Sequence, residues 1–138
     1  MKKIILATAL LSSLFCGSFA YAGEKIKFTL PSIICQKKNP SLPAYTLVTI
    51  LAAEKNNGDP SVALKAIEEK SNGLCGLQNP STNSKAEIIK RQKAEFKGVP
   101  IEYLYFRFLE IDGKDYSKTD LKLWTVSFAD APCYKKIK

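Results

Sequence analysis

A strand with one wet face alternates apolar and polar residues, and in residues 101–111, IEYLYFRFLEI, Leu104, Phe106 and Phe108 form one apolar row. The intervening row, Ile101, Tyr103, Tyr105, Arg107 and Leu109, is not the polar row of a half-wet strand. Strand side chains repeat every second residue, so the pattern predicts a strand with one dry face and a second, aromatic face. Two helices elsewhere in the chain need an apolar surface, and this second face can serve as their seat. It can equally serve as a contact surface, or be covered only in part, leaving Tyr103 and Arg107 at an edge.

The remaining pattern supplies those helices and more strands. In KIKFTL, Ile26, Phe28 and Leu30 alternate with Lys25, Lys27 and Thr29, a half-buried strand that breaks at Pro31 before an apolar continuation to Cys35. Ser41 as a cap, Pro43 in a first turn, and Tyr45, Val48, Leu51 and Ala52 at helical spacing predict a helix stopped by Asn56, Asn57 and Gly58. Asp59 as N-cap and Pro60 at the first helical position start a second, with Val62, Ala63, Ala66 and Ile67 as its stripe and Gly73 as its end. LCGL reads as a short strand, and the polar loop after it contains Pro80. The segment 85–97 is helical in composition but has a poor helical stripe, which favours a strand ending in an exposed turn. Asp112 and Gly113 mark a turn, and the return strand alternates Lys122, Trp124, Val126 and Phe128 with Leu121, Leu123, Thr125 and Ser127. ADAPCYKKIK reads as a basic tail.

Strand, two helices, then several strands predicts an α+β fold: a small antiparallel β-sheet or partial barrel with two short helices inserted after the first strand. A strand ending in cysteine, a helical insertion, the strand GLCGL and a closing hairpin carrying LWT resemble small exported bacterial domains with an SH3-like barrel. The resemblance spans most of residues 25–128 and rests on element order. It implies an SH3-like partial barrel and places Trp124 near a ligand groove.

The amino terminus changes the picture of where this fold works. Lys2 and Lys3 precede an apolar run, and Ala20 and Ala22 form an A-x-A site, which predicts a signal peptide, residues 1–22, cleaved after Ala22. The run is shorter than the roughly 20 residues a membrane span requires, and no other stretch qualifies. The expected product is one exported domain, residues 23–138, periplasmic or secreted. Of its cysteines, Cys35 and Cys75 flank the helical region and are expected to pair; Cys133 is left as a free thiol, a small buried hydrophobe or a link between chains. Removing Lys2 and Lys3 lowers the basic residues from 21 to 19 against 13 acids, a net charge of +6. Such a chain either meets partners of acidic character or simply stays soluble.

The absence of histidine excludes Ser-His-Asp and Cys-His centres, and the cysteines lack metal-binding spacing, so no metal and no cofactor is expected. Neither a nucleophile elbow nor a phosphate loop occurs. The carboxylates Glu102, Glu110, Asp112 and Asp115 are explained by hairpin ends, although a carboxylate-based hydrolase is the remaining enzymatic reading. Binding has more support: Tyr103, Tyr105 and Arg107 share a strand face, Trp124 lies on the return strand, and Lys90, Arg91 and Lys93 form a basic run. Nucleic acid is disfavoured because Phe96 is the only aromatic residue in the basic segment 85–97. The expected function is a non-catalytic binding module for a protein or cell-wall partner, an accessory of an envelope secretion or conjugation assembly. The alternative is an inhibitor or immunity protein against a cell-wall hydrolase, acting through a protruding loop at 112–120.

Overall fold

The computed structural model describes residues 23–79 and 83–137. The expected leader, Pro80 and Lys138 lie outside them. The strands are β1 (Lys25–Phe28), β2 (Ser32–Cys35), β3 (Cys75–Gln78), β4 (Ser84–Phe96), β5 (Val99–Ile111), β6 (Lys114–Asp115), β7 (Leu123–Phe128) and β8 (Tyr134–Lys136). Helices α1 (Leu42–Lys55) and α2 (Ser61–Lys70) follow β2. The strands make one antiparallel sheet in the order β3-β2-β7-β5-β4-β1-β8, with β6 on β5, and it curls into a half-barrel. The α+β expectation holds at this level.

The segment 85–97 is strand. Its 13 residues pair along the whole length of β5. The ribbon turns at Lys97 and Gly98, with φ of 50° and 79°, and β5 turns into β6 at Asp112 and Gly113, with φ of 50° and 85°. Two consecutive positive φ values are what a two-residue hairpin requires, and glycine adopts them without a Cβ penalty.

β5 carries a core on each face. Leu104, Phe106 and Phe108 pack inside the half-barrel with Ile26, Phe28, Ala86, Ile88, Leu123 and Cys133. Phe106 lies edge-on to Phe28 at 5.2 Å and to Phe108 at 5.3 Å. On the opposite face Ile101 and Tyr103 join Ile33, Val126, Leu42, Ile67 and the disulfide beneath the helices. The second row of β5 is therefore a partly covered face.

Several expectations are corrected. Residues 32–35 do not continue β1: Pro31 cannot extend a hydrogen-bonded ladder, and β2 crosses to a distant place between β3 and β7. The tail forms β8, with Tyr134, Lys135 and Lys136 opposite Phe28, Lys27 and Ile26. Half of the stripe expected for α1 is turned outward: Val48 and Leu51 are exposed, Tyr45 packs against the core beneath the helices and Ala52 is partly buried, and the buried residues are Leu42, Pro43, Thr46, Thr49 and Ala53. The Thr46 and Thr49 hydroxyls donate to the carbonyls of Leu42 and Tyr45, both at 2.9 Å, which removes the cost of burying them. In α2 only Ala63 and Ile67 of the expected four are buried. Pro60 stands just before its first residue, and Asp59 accepts the Ser61 N–H at 2.9 Å.

Candidate functional site

The site begins with the pairing of four strands. Cys75 lies opposite Cys35, Cys35 opposite Trp124, Trp124 opposite Tyr105, and Tyr105 opposite Lys90. Residues directly opposite in an antiparallel ladder share a face, so these five make one transverse row on the helix side of the sheet. Cys35 and Cys75 are disulfide-bonded, as expected. The bond fixes one end of the row, next to Trp124.

A register shift in β4 decides the other end. Between Ile88 and Lys90 the ladder with β5 skips a residue. Uninterrupted pairing would set Ile89 opposite Tyr105; the bulge sets Lys90 there instead and places Arg91 opposite Leu104. A cation rather than an aliphatic side chain thus borders the aromatic rings.

Helix α1 packs over β2 and β7, and α2 over β3, so helical cover ends beyond β7. Tyr103 lies beneath that margin, 8% exposed, and burial raises its phenol above the ordinary value. Tyr105 and Trp124 are half-buried, their ring centroids 4.7 Å apart and their planes tilted by 31°. Lys38, from the loop after β2, holds its ammonium 4.8 Å from the Tyr103 ring centroid and 6.0 Å from that of Trp124. A cation over a ring face gains roughly 0.5–1 kcal/mol at an exposed site. The result is a two-ring shelf with Lys38 on one side and Lys90 on the other.

Arg107 borders the shelf but is engaged internally. Its Nε donates to Glu87 Oε1 at 2.9 Å and its Nη1 to the Ser117 carbonyl at 2.9 Å. These bonds fold the loop 112–120 back onto the sheet, where Tyr116 packs against the interior cluster. Asp115 accepts the hydroxyl and N–H of Ser117, which holds its carboxyl below the usual range.

The basic run divides between the two faces. Lys90 and Lys93 are exposed, whereas Arg91 turns to the interior side and forms an ion pair with Glu102, both partners largely covered. Tyr134 stands near that pair. Burial raises its phenol, the Arg91 charge opposes this, and Glu102 reinforces it. Tyr105, Trp124 and Lys90 are thus assembled at one place, with Tyr103 beneath it, while Arg91 and Lys93 belong elsewhere.

Sequence reasoning missed Lys38, which occupied a stretch read only as loop. Its one accessible signal was proximity in the chain to Cys35, since whatever follows Cys35 emerges beside the aromatic row. Cys133 is buried and forms no disulfide; its thiol donates to the Val126 carbonyl, with Sγ 3.7 Å from the oxygen, and burial raises its pKa above the ordinary range. Among the described residues no helix is long and apolar enough to cross a membrane, and no group of three or more histidine, cysteine, aspartate or glutamate side chains is placed to hold a metal ion. No protein-family model, curated protein or solved structure matches this chain.

Proposed function

We propose that this chain is an exported, non-catalytic recognition module that binds an envelope partner of acidic character through the Tyr105–Trp124 shelf. One observation carries the reading: two large aromatic rings in contact with each other are only partly covered, at the point where helical cover ends, between Lys38 and Lys90. Aromatic side chains offer contact area at little entropic cost, and the flanking ammonium groups favour carboxylate-bearing partners, whether protein or wall polymer. The disulfide beside Trp124 is compatible with an oxidising compartment, in keeping with the leader read from the sequence. An SH3-like identity would place a ligand on this same closing strand. Accessory service in a secretion or conjugation assembly is one setting for such a module.

Binding to purified envelope fractions, followed by co-sedimentation for wall polymer and by titration calorimetry for soluble envelope proteins, tests this. Tyr105→Ala and Lys90→Glu should each weaken binding about tenfold or more, roughly 1.4 kcal/mol, with the circular dichroism of the fold unchanged. Undiminished binding by both variants would place the contact surface elsewhere.

A further inference from the structure

Helix α1 is apolar on the side that faces water, and that face is separate from the aromatic shelf. Its sheet-facing side buries Thr46 and Thr49, 1% and 0% exposed, while Leu47, Val48 and Leu51 stand 36%, 51% and 53% exposed. Ala44, Leu47, Val48 and Leu51 follow the spacing of three, four and seven that makes one stripe, and Glu54 and Lys55 continue it at its carboxyl end. A helix apolar on its outer face as well as seated on a core is a helix built to be covered on both sides.

We propose that this face is covered by α1 of a second copy, in a two-fold symmetric, antiparallel helix pair. The charge distribution selects this occupant. Residues 42–70, which hold both helices, have three lysines against four acids; the rest of residues 23–138 has 16 basic residues against 9. The outer surface of the helices is therefore the nearly neutral part of a basic molecule, where two copies meet without net repulsion, while an anionic bilayer or polyanion is drawn to the shelf cations Lys38 and Lys90 and to the strands beyond.

The stripe is also self-complementary. In an isologous pair with the axis passing between Leu47 and Val48, each Leu51 lies over the partner's small Ala44, and the two Leu47–Val48 steps face each other. Antiparallel alignment brings the helix dipoles into favourable opposition and sets Glu54 near the partner's Lys37, an exposed residue in the loop before α1. No aromatic side chain stands among the exposed residues of the stripe, which suits close helix packing better than the headgroup region of a bilayer.

Sedimentation equilibrium of the purified protein across a concentration series tests the pairing. Twice the monomer mass is expected at high concentration, with Leu51→Lys and Val48→Glu each monomeric throughout. Both positions are solvent-facing in the monomer, so the variants should keep the wild-type circular dichroism and melting curve in the dilute, dissociated state. Glu54→Lys should weaken the dimer about tenfold, and the double variant Glu54→Lys/Lys37→Glu should recover most of that loss. A wild type that stays monomeric throughout overturns the proposal, as does a dimer that survives both Leu51→Lys and Val48→Glu. Binding of the monomer to vesicles of anionic phospholipid that is lost in Leu51→Lys would assign the face to a membrane surface instead.

Discussion

Cys133, Tyr103 and Tyr134 are acidic groups whose ionised forms the fold disfavours by burial. The native chain keeps protons that the unfolded chain releases, so stability from these groups is complete below their unfolded pKa values and declines above them. The thiol acts first, since it ionises near 8.5 in an unfolded chain, and the phenols follow near 10. Urea unfolding measured from about pH 7 to 10 should therefore show stability falling above pH 8.5. Cys133→Ala should flatten the first part of that fall, whatever its effect on stability at neutral pH. Lys38 and Arg107 show where single-residue reading ran out. Both are cations near the shelf, yet Arg107 is committed to Glu87 and Ser117 while Lys38, from an unremarked loop, covers the rings. No local pattern distinguishes a cation that closes the fold from one that borders a surface, because the partners lie far away in sequence.

Among the elements, β5 was the most legible. Its two alternating rows assigned Leu104, Phe106 and Phe108 to one core, and left the second row to a partial cover that only assembly could define. The turn at Asp112 and Gly113 was equally plain, because only a few residue types accept positive φ twice in succession. A Cβ on Gly98 would meet no neighbour within 4 Å, so the cost of Gly98→Ala is that of the left-handed backbone alone. It should lower stability by about 1–2 kcal/mol, seen as a reduced urea midpoint. Helix α1 misled for a physical reason: sequence reading sends aliphatic residues inward, but threonines that satisfy their own hydroxyls can fill that place and release the aliphatics outward. β8 was illegible because its three residues follow no alternating pattern and are held by β1 alone. The bulge after Ile88 broke the alternation of β4, which is why its sequence resembled both a strand and a helix.

At the scale of the whole molecule, one cross-link joins the two ends of the helical insertion. Cys35 and Cys75 are 40 residues apart, and closing such a loop contributes about 4 kcal/mol in the chain-entropy account. The double variant Cys35→Ala/Cys75→Ala should lose a stability of that order in urea unfolding, and with it the anchored end of the Trp124 row. The class of fold and the two sides of the central strand followed from pattern; the strand order did not. Ordering β3-β2-β7-β5-β4-β1-β8 depends on pairings between residues as far apart in sequence as Ile26 and Lys136, which alternation cannot encode. The charge asymmetry could be counted from the sequence but acquired meaning only when the helices were found together on one side.

Trp124 is the only tryptophan, so its emission reports directly on the shelf. Titrating the purified protein with the envelope component it retains should give a saturable change in that emission, displaced by raised salt. Tyr105→Ala should require at least about tenfold more of that component for the same change. Saturable binding that leaves the emission of Trp124 unaltered would mean that the partner is held by another surface.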